Sequence, residues 1–458
     1  MKKWMNLLQN TAIGALVVLC IVQTIQLWYN GYSSRSFLSA FFSSDTDYSA
    51  SDALAGLVRP YRIIAPHDDT YVVLYGDAER AALRAAGDRI LTQAFRSGEY
   101  ALSYALDEAA LLASGGVWYE YAVAIPADAF GLFYQARTGF LTNRFRNFSR
   151  IVLIPQDADS ARVVFVDDDA RMCYEYSIRQ SGLASGLTAA KESLPASTLH
   201  YNTVQVGGED APLQNIFYAD WAEDSLPYQQ IRTYGPFGEI TITNIERIVL
   251  PFFETPGGVM WDVEPNGFTY RDDNAVAKYY SNDVLEFTDY KAHRGTVTNS
   301  FTSAFVAAAN LLAKDKGIVN EYYLSSYMQE GDSWHLTFDY VCNGFPVFMS
   351  QSLSLSLTQN QPNTNVMTHM IEIEVRADKV YKYRRYLLGF EVDTTSTARK
   401  QTDFVQTVLN AHEGLSLTKD APLPVQSVML GYRADGMPLL SLHWLIVDAD
   451  GMPLPSYD

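Results

Sequence analysis

The chain has 458 residues and a formal charge of −18, with 34 Lys and Arg set against 52 Asp and Glu. That length leaves room for two or three domains, each able to bury a core. The negative balance repels nucleic acid and anionic headgroups, so no nucleic-acid partner is expected, although charge alone names no other partner.

Thr11 to Trp28 reads TAIGALVVLCIVQTIQLW without a charged residue. At 1.5 Å per residue a helix of this length covers about 27 Å, enough to cross a bilayer once. Lys2 and Lys3 precede it and Trp28 and Tyr29 close it, which places the N-terminus in the cytoplasm and the rest of the chain outside. Leaving out those two lysines, the only charges in the first 29 residues, makes the external part −20. A cleaved export signal shares the basic start and apolar core, but no small-x-small site follows closely, and Cys20 lacks the small residues of a lipoprotein site before it. An uncleaved single-pass anchor in contact with membrane lipid is therefore the favoured reading. Gln23, Thr24 and Gln26 lie in the outer part of the span. Their hydrogen-bonding groups are satisfied either by a partner helix or by water near the outer headgroups, and both readings stand.

Residues 30–58 are serine-rich without a settled period and read as a tether, with one short helix around Phe37 to Phe42. The folded body is expected to begin near Pro60. Tyr61 to Ile64 and Tyr71 to Tyr75 read as strands across a Pro66-His67-Asp68-Asp69 turn, and a helix follows from Asp77 to about Phe95. Further helices are expected over 101–113 and 128–145, with strands at Trp118 to Ile125, Arg150 to Ile154, Arg162 to Val166 and Met172 to Ile178. The last three have the spacing of an antiparallel meander.

Glycines and prolines interrupt the pattern from 180 to 236, and regular structure restarts at Ile240 to Leu250. The segment beginning MWDVEPNG reads as a helix and a turn, followed by strands at Phe268 to Tyr270 and Val284 to Phe287 and an amphipathic helix from Val297 to Ala313. Beyond it, Ser333 to Tyr340 alternates as a strand, and Ile371 to Val375 pairs with Val380 to Leu387 across Asp378. A short helix is expected at Asp403 to Leu409, then strands at Gln426 to Tyr432 and Leu439 to Val447, with turns at Asp435-Gly436 and Asp450-Gly451.

Sequence supplies no catalytic framework. The seven histidines form no H-E-x-x-H or Cys/His cluster, although His335, His369 and His443 lie on or beside strands and have the option of meeting in space. Asp167-Asp168-Asp169 and Asp272-Asp273 read as solvated turns, since neither continues as a calcium loop. There is no nucleophile elbow, phosphate loop or dinucleotide fingerprint. No catalytic, metal or cofactor-binding residue and no cofactor is expected. Cys173 and Cys342 sit in apolar surroundings and read as free buried thiols rather than a disulfide. Thirty tyrosines and seven tryptophans suit both packing and protein contact.

The layout resembles the YycH family, together with the smaller related YycI. The resemblance rests on the span ending LWYN before RPYRII, on IVLPFFETPGGVMWDVEPNGFTYRDDNAVAKYYSNDVLEFTDY, on HLTFDYVCNGFPVF followed by IEIEVRADKVYKYRRYLLGF, and on the closing VMLGYRADGMPLLSLHWLIVDADGMPL. It covers essentially the whole length with structural rather than catalytic motifs. It implies a non-enzymatic regulator in a Gram-positive two-component system, which restrains or adjusts a sensor histidine kinase of the WalK or YycG type and associates with a YycI-like protein. The fold expected is α+β: a single N-terminal transmembrane helix followed by a multidomain extracytoplasmic body of mainly antiparallel sheets with packed helices. Its parts are a cytoplasmic tail (1–10), the transmembrane helix (11–29), the tether (30–58), an α+β domain (59–235), a middle α+β domain (236–318) and a C-terminal β-rich domain (319–458). The alternatives are a ligand-sensing or cell-envelope adaptor protein and, behind them, an envelope hydrolase.

Overall fold

Three β-rich runs after residue 146 set the architecture. Their β-branched and aromatic residues alternate between the two faces of a pleated strand, so that Ile151 stands opposite Phe165, and Val163 opposite Tyr176, all fully buried. In the computed structural model, which describes residues 60–75, 77–134, 141, 143–194, 200–206, 214–218, 230–235, 241–294, 300–315, 317–358, 367–394 and 427–447, these runs form the middle of a nine-stranded sheet. The described residues lie in one compact unit, Ala50–Asp458. The span with Gln23, Thr24 and Gln26, the tether, the helix expected at 403–409 and the last turn lie outside the described residues.

The first sheet is built in chain order from Arg62–His67 (β1), Thr70–Leu74 (β2), Glu99–Ala105 (β3), Val117–Pro126 (β4), Asn147–Pro155 (β5), Ser160–Asp167 (β6), Met172–Arg179 (β7), His200–Val206 (β8) and Gln214–Tyr218 (β9). Its spatial order is β3-β7-β6-β5-β4-β1-β2-β8-β9, antiparallel throughout. Asp77–Ser97 (α1) and Leu183–Glu192 (α4) pack together across one face, with Glu108–Ala113 (α2) and Ala127–Phe133 (α3) between the strands in sequence. The helix–sheet approach is close at Gly87. A Cβ there would run into the Tyr119 hydroxyl, which lies 3.0 Å from the carbonyl of Leu83 and 3.1 Å from that of Arg84. Only glycine lets Tyr119 tie α1 to β4 at this distance.

After Ile231–Tyr234 (β10) and Ile242–Val249 (α5) comes a second large sheet of eleven strands. It begins with Met260–Glu264 (β11), Gly267–Arg271 (β12), Ala275–Tyr280 (β13) and Val284–Asp289 (β14), followed by the helix Phe301–Lys314 (α6). Glu321–Glu330 (β15), Ser333–Cys342 (β16), Phe345–Met349 (β17), Gln351–Thr358 (α7), Ile371–Arg376 (β18), Lys379–Tyr386 (β19), Gly389–Val392 (β20), Ser427–Ala434 (β21), Leu439–Leu440 (β22) and Leu442–Val447 (β23) complete the described chain. The order is β11-β12-β13-β14-β19-β18-β16-β17-β21-β23, with β15 added alongside β16; β10, β20 and β22 form a separate three-stranded sheet. Among the described strands only the β17–β21 pair is parallel. The described body is thus α+β with mainly antiparallel sheets.

One face of the eleven-stranded sheet is dry. Phe301, Ala304, Phe305, Ala308, Leu311 and Leu312 of α6 are buried, the spacing of a helix laid on a sheet, and they cover β16, β18 and β19. Ser300 caps the helix by accepting from Ser303 N. Where α6 ends, Asp315 is fully buried and its Oδ2 lies 3.1 Å from Arg385 Nε. The same oxygen accepts from Tyr383 Oη at 2.6 Å, and Oδ1 accepts from Gly317 N at 2.9 Å. The two large sheets meet through Tyr61 on Tyr323, Tyr75 on Phe345, and a hydrogen bond from Tyr327 Oη to the Ala124 carbonyl at 2.6 Å.

Three expected helices are corrected. Residues 101–113 split into the edge strand β3 and the six-residue α2: the run of Ala and Leu has high helix propensity, but pairing with β7 outweighs that weak preference. Of 128–145, the described helix is Ala127–Phe133, and residues 143–146 are turn and loop leading into β5. MWDVE is not a helix but β11, held against β12 by a hairpin whose Gly267 has φ +151° and no space for a Cβ beside the Tyr279 carbonyl. Between the two expected strands lies a further one, β13, whose alternating burial shows only once neighbours flank it.

Candidate interaction surface

The charged residues of the first sheet are mostly turned to structural use. Arg62, Glu120 and Arg150 stand side by side on β1, β4 and β5. Arg62 Nε binds Glu120, while Arg150 forks onto both oxygens of Glu108 at 2.9 and 2.6 Å, reaches Asp168 Oδ2 through Nε at 3.1 Å, and lies over the Trp118 ring. Paired guanidinium and carboxylate groups of this kind keep their charge in a buried setting. Asp168 is therefore an ion-pair partner rather than merely a solvated turn residue, a long-range contact that its own short motif does not encode. Asp272 does close a turn, accepting from Asn274 N and Ala275 N, both at 2.7 Å.

The structure separates the three histidines that had the option of meeting. His335 on β16 is 3.6 Å from the exposed Glu330, His443 on β23 is exposed, and His369 is buried with its Nδ1 2.8 Å from Asp339 Oδ2. No group of three His, Cys, Asp or Glu suited to a metal ion occurs among the described residues. Ser325 Oγ also approaches His369 Nδ1, at 3.3 Å. Ser, His and Asp thus converge, but on one ring nitrogen. A nucleophilic relay requires the acid on one nitrogen and the serine on the other, so this geometry does not activate Ser325.

The cluster instead clasps strands. Asp339 Oδ1 accepts from Met370 N at 3.2 Å, fixing the start of β18 beside β16. Burial pulls the His369 imidazole down, but the charge and hydrogen bond of Asp339, with the charge of Glu372, outweigh it and raise the pKa above the ordinary value. Sequence reasoning overlooked Asp339 and Ser325 because their partner lies on another strand. Cys173 and Cys342 are free and buried as expected, and burial pushes both thiols up to about 12.

The polar face of the eleven-stranded sheet offers a different kind of surface. Glu286, Arg384, Glu372 and Thr337 stand opposite one another on β14, β19, β18 and β16. Arg384 Nη1 is 3.1 Å from Glu372, and Lys382 Nζ is 3.1 Å from Glu286. Thr337, Glu372, Lys382, Arg384 and His335 line a shallow hollow of about 130 Å³. Its opposite charges neutralise one another across neighbouring strands, which suits a contact surface better than the apolar pocket of a small-molecule sensor. At the far end of the same sheet, all five residues of β11 are exposed, including Met260, Trp261 and Val263.

No protein-family model matches the sequence, and no curated protein does. Among solved structures, YycH from Bacillus subtilis superposes with a TM-score of 0.56 at 12% identity, over 87% of this chain and 96% of that one. The fold is that of YycH. Because the match runs over nearly all of that chain, the YycH-like fold includes both large sheets rather than one shared module. A structure of an uncharacterized protein from Eubacterium rectale covers 55% of this chain and 84% of its own at a TM-score of 0.33 and 13% identity.

Proposed function

We propose that this chain is a membrane-anchored, extracytoplasmic regulator of a sensor histidine kinase of the WalK or YycG type, restraining it through protein contacts together with a YycI-like partner. The observation that carries this reading is the YycH-like fold over 87% of the chain. The uncharged span from Thr11 to Trp28 supports a single crossing of the cell membrane with the N-terminus inside. Paired charges in the described body suit a scaffold for recognition, and the Ser325-His369-Asp339 cluster lacks the geometry of a relay. Gln23, Thr24 and Gln26 are the proposed contacts to a helix in the bilayer. A helix contact that favours one of two kinase packings by a few kcal/mol changes their populations several-hundred-fold at most, roughly tenfold per 1.4 kcal/mol.

The test is recovery of the kinase and the YycI-like protein from membranes by the full chain and by a chain carrying an unrelated span, with kinase phosphorylation measured in both. Loss of recovery and of control on swapping the span places regulation in the membrane helix; retention of both places it in the external body. Failure of the native chain to recover the kinase or alter its phosphorylation refutes the proposal. Replacing Gln23 and Gln26 by leucine at unchanged protein level tests the helix contact, which is rejected if recovery and signalling stay the same.

A further inference from the structure

An edge strand leaves the N–H and C=O groups of alternate residues without a partner, and proteins ordinarily blunt such edges. In the eleven-stranded sheet β11 pairs with β12 on one side and with no other strand among the described residues. Its five residues are exposed on both faces, with Met260 at 60%, Trp261 at 50% and Val263 at 64%. Trp261 and Val263 stand opposite Tyr270 and Phe268, so they extend the apolar face of the sheet past the cover of α5. Asp262 and Glu264 point to the other face, where Asp262 meets the exposed Arg271 at 3.0 Å and Glu264 accepts from Thr269.

We infer that β11 is a docking edge for an extended segment of another protein in which apolar and basic residues alternate, added as an antiparallel strand. The backbone edge demands an extended partner. The pleat places the partner's apolar residues beside Trp261 and Val263 and its basic residues beside Asp262 and Glu264, and the chain's charge of −18 favours the same sign. A second copy is the wrong occupant: full antiparallel overlap of two β11 strands sets Asp262 against Asp262 and Met260 against Glu264. Like charges placed directly opposite are destabilising. The inference goes beyond the kinase reading and does not depend on it.

The experiment uses the full chain in detergent with a synthetic peptide, acetyl-Lys-Ile-Lys-Ile-Lys-amide, and an analogue of the same charge N-methylated at alternate residues. The native peptide is expected to bind and to slow amide hydrogen exchange at β11, while the methylated analogue, unable to complete the strand ladder, does neither. The double variant Asp262→Lys/Glu264→Lys is expected to weaken binding by roughly tenfold, from two cross-strand charge pairs reversed. All five residues are exposed, so the variant should retain the parent circular dichroism. Equal binding of the methylated analogue, protection confined to other strands, or no binding at millimolar peptide overturns the proposal. So does sedimentation of the full chain as a dimer that the double variant dissociates, which would make a second copy the occupant.

Discussion

The ion pair beneath α6 provides a sharp test of how the eleven-stranded sheet is held together. Asp315→Ala removes the counter-charge of Arg385, whose side chain is only 1% exposed, and takes the acceptor from both Tyr383 Oη and Gly317 N. Arg385 Nη2 meets no hydrogen-bond partner among the described residues, so no second carboxylate stands ready to replace Asp315. Breaking one side of a buried pair costs about 3–5 kcal/mol, and an orphaned buried hydroxyl or amide costs about 1–3 kcal/mol. These losses overlap, and a total of about 4–5 kcal/mol is expected, a large part of a typical stability of about 5–15 kcal/mol. Asp315→Asn keeps an acceptor but loses the charge, and should fall about midway. Replacing both partners, Asp315→Leu with Arg385→Met, should cost less than Asp315→Ala, because no charge is then left unpaired. Urea unfolding followed by tryptophan fluorescence measures all three. A shift below about 1 kcal/mol for Asp315→Ala, or a double variant as damaging as the sum of its parts, would refute this account of the pair.

Three further outcomes follow from buried groups. His369 holds its proton more tightly folded than unfolded, so its pairing with Asp339 stabilises fully below the ordinary imidazole value of 6.5 and is lost as pH rises through the higher folded value. The melting temperature should therefore fall more steeply from about pH 6 to pH 9 in the parent than in His369→Gln; parallel curves would remove His369 as the cause. Glu108→Ala, which strips the buried fork from Arg150, should destabilise by about 2–4 kcal/mol, while Asp168→Ala should cost less because its carboxylate is 40% exposed. Equal losses in chemical denaturation would contradict that ordering. Cys173 and Cys342, with thiols held near pKa 12 by burial, should resist iodoacetamide at about pH 8 until denaturant is added, as followed by peptide mass spectrometry. Rapid native labelling of either would show that the site opens.

Local pattern carried much of the fold. The β1–β2 hairpin, α1, the β5–β7 meander, α6 and the β18–β19 hairpin are all legible from periodicity and turn residues, because in each the neighbours in sequence are also neighbours in space. The expected free thiols follow from the same logic of apolar surroundings. Misreadings arose where an edge or a distant neighbour decided the outcome. Leu102 has a helix-forming side chain yet lies in a strand because β7 offers it a ladder, and Trp261 lies in a strand because the turn before Gly267 folds β12 back on it.

For the candidate sites, sequence alone determined that familiar catalytic and metal motifs are missing and that an uncharged segment stands near the N-terminus. Tertiary structure alone decided that Asp339 rather than another histidine faces His369, that Arg150 joins Glu108 to Asp168, and that Met260, Trp261 and Val263 remain exposed at a sheet edge. The physical reason is that side-chain period is a local property of the backbone, whereas ion pairing, burial and edge position are properties of strands brought together from distant parts of the chain.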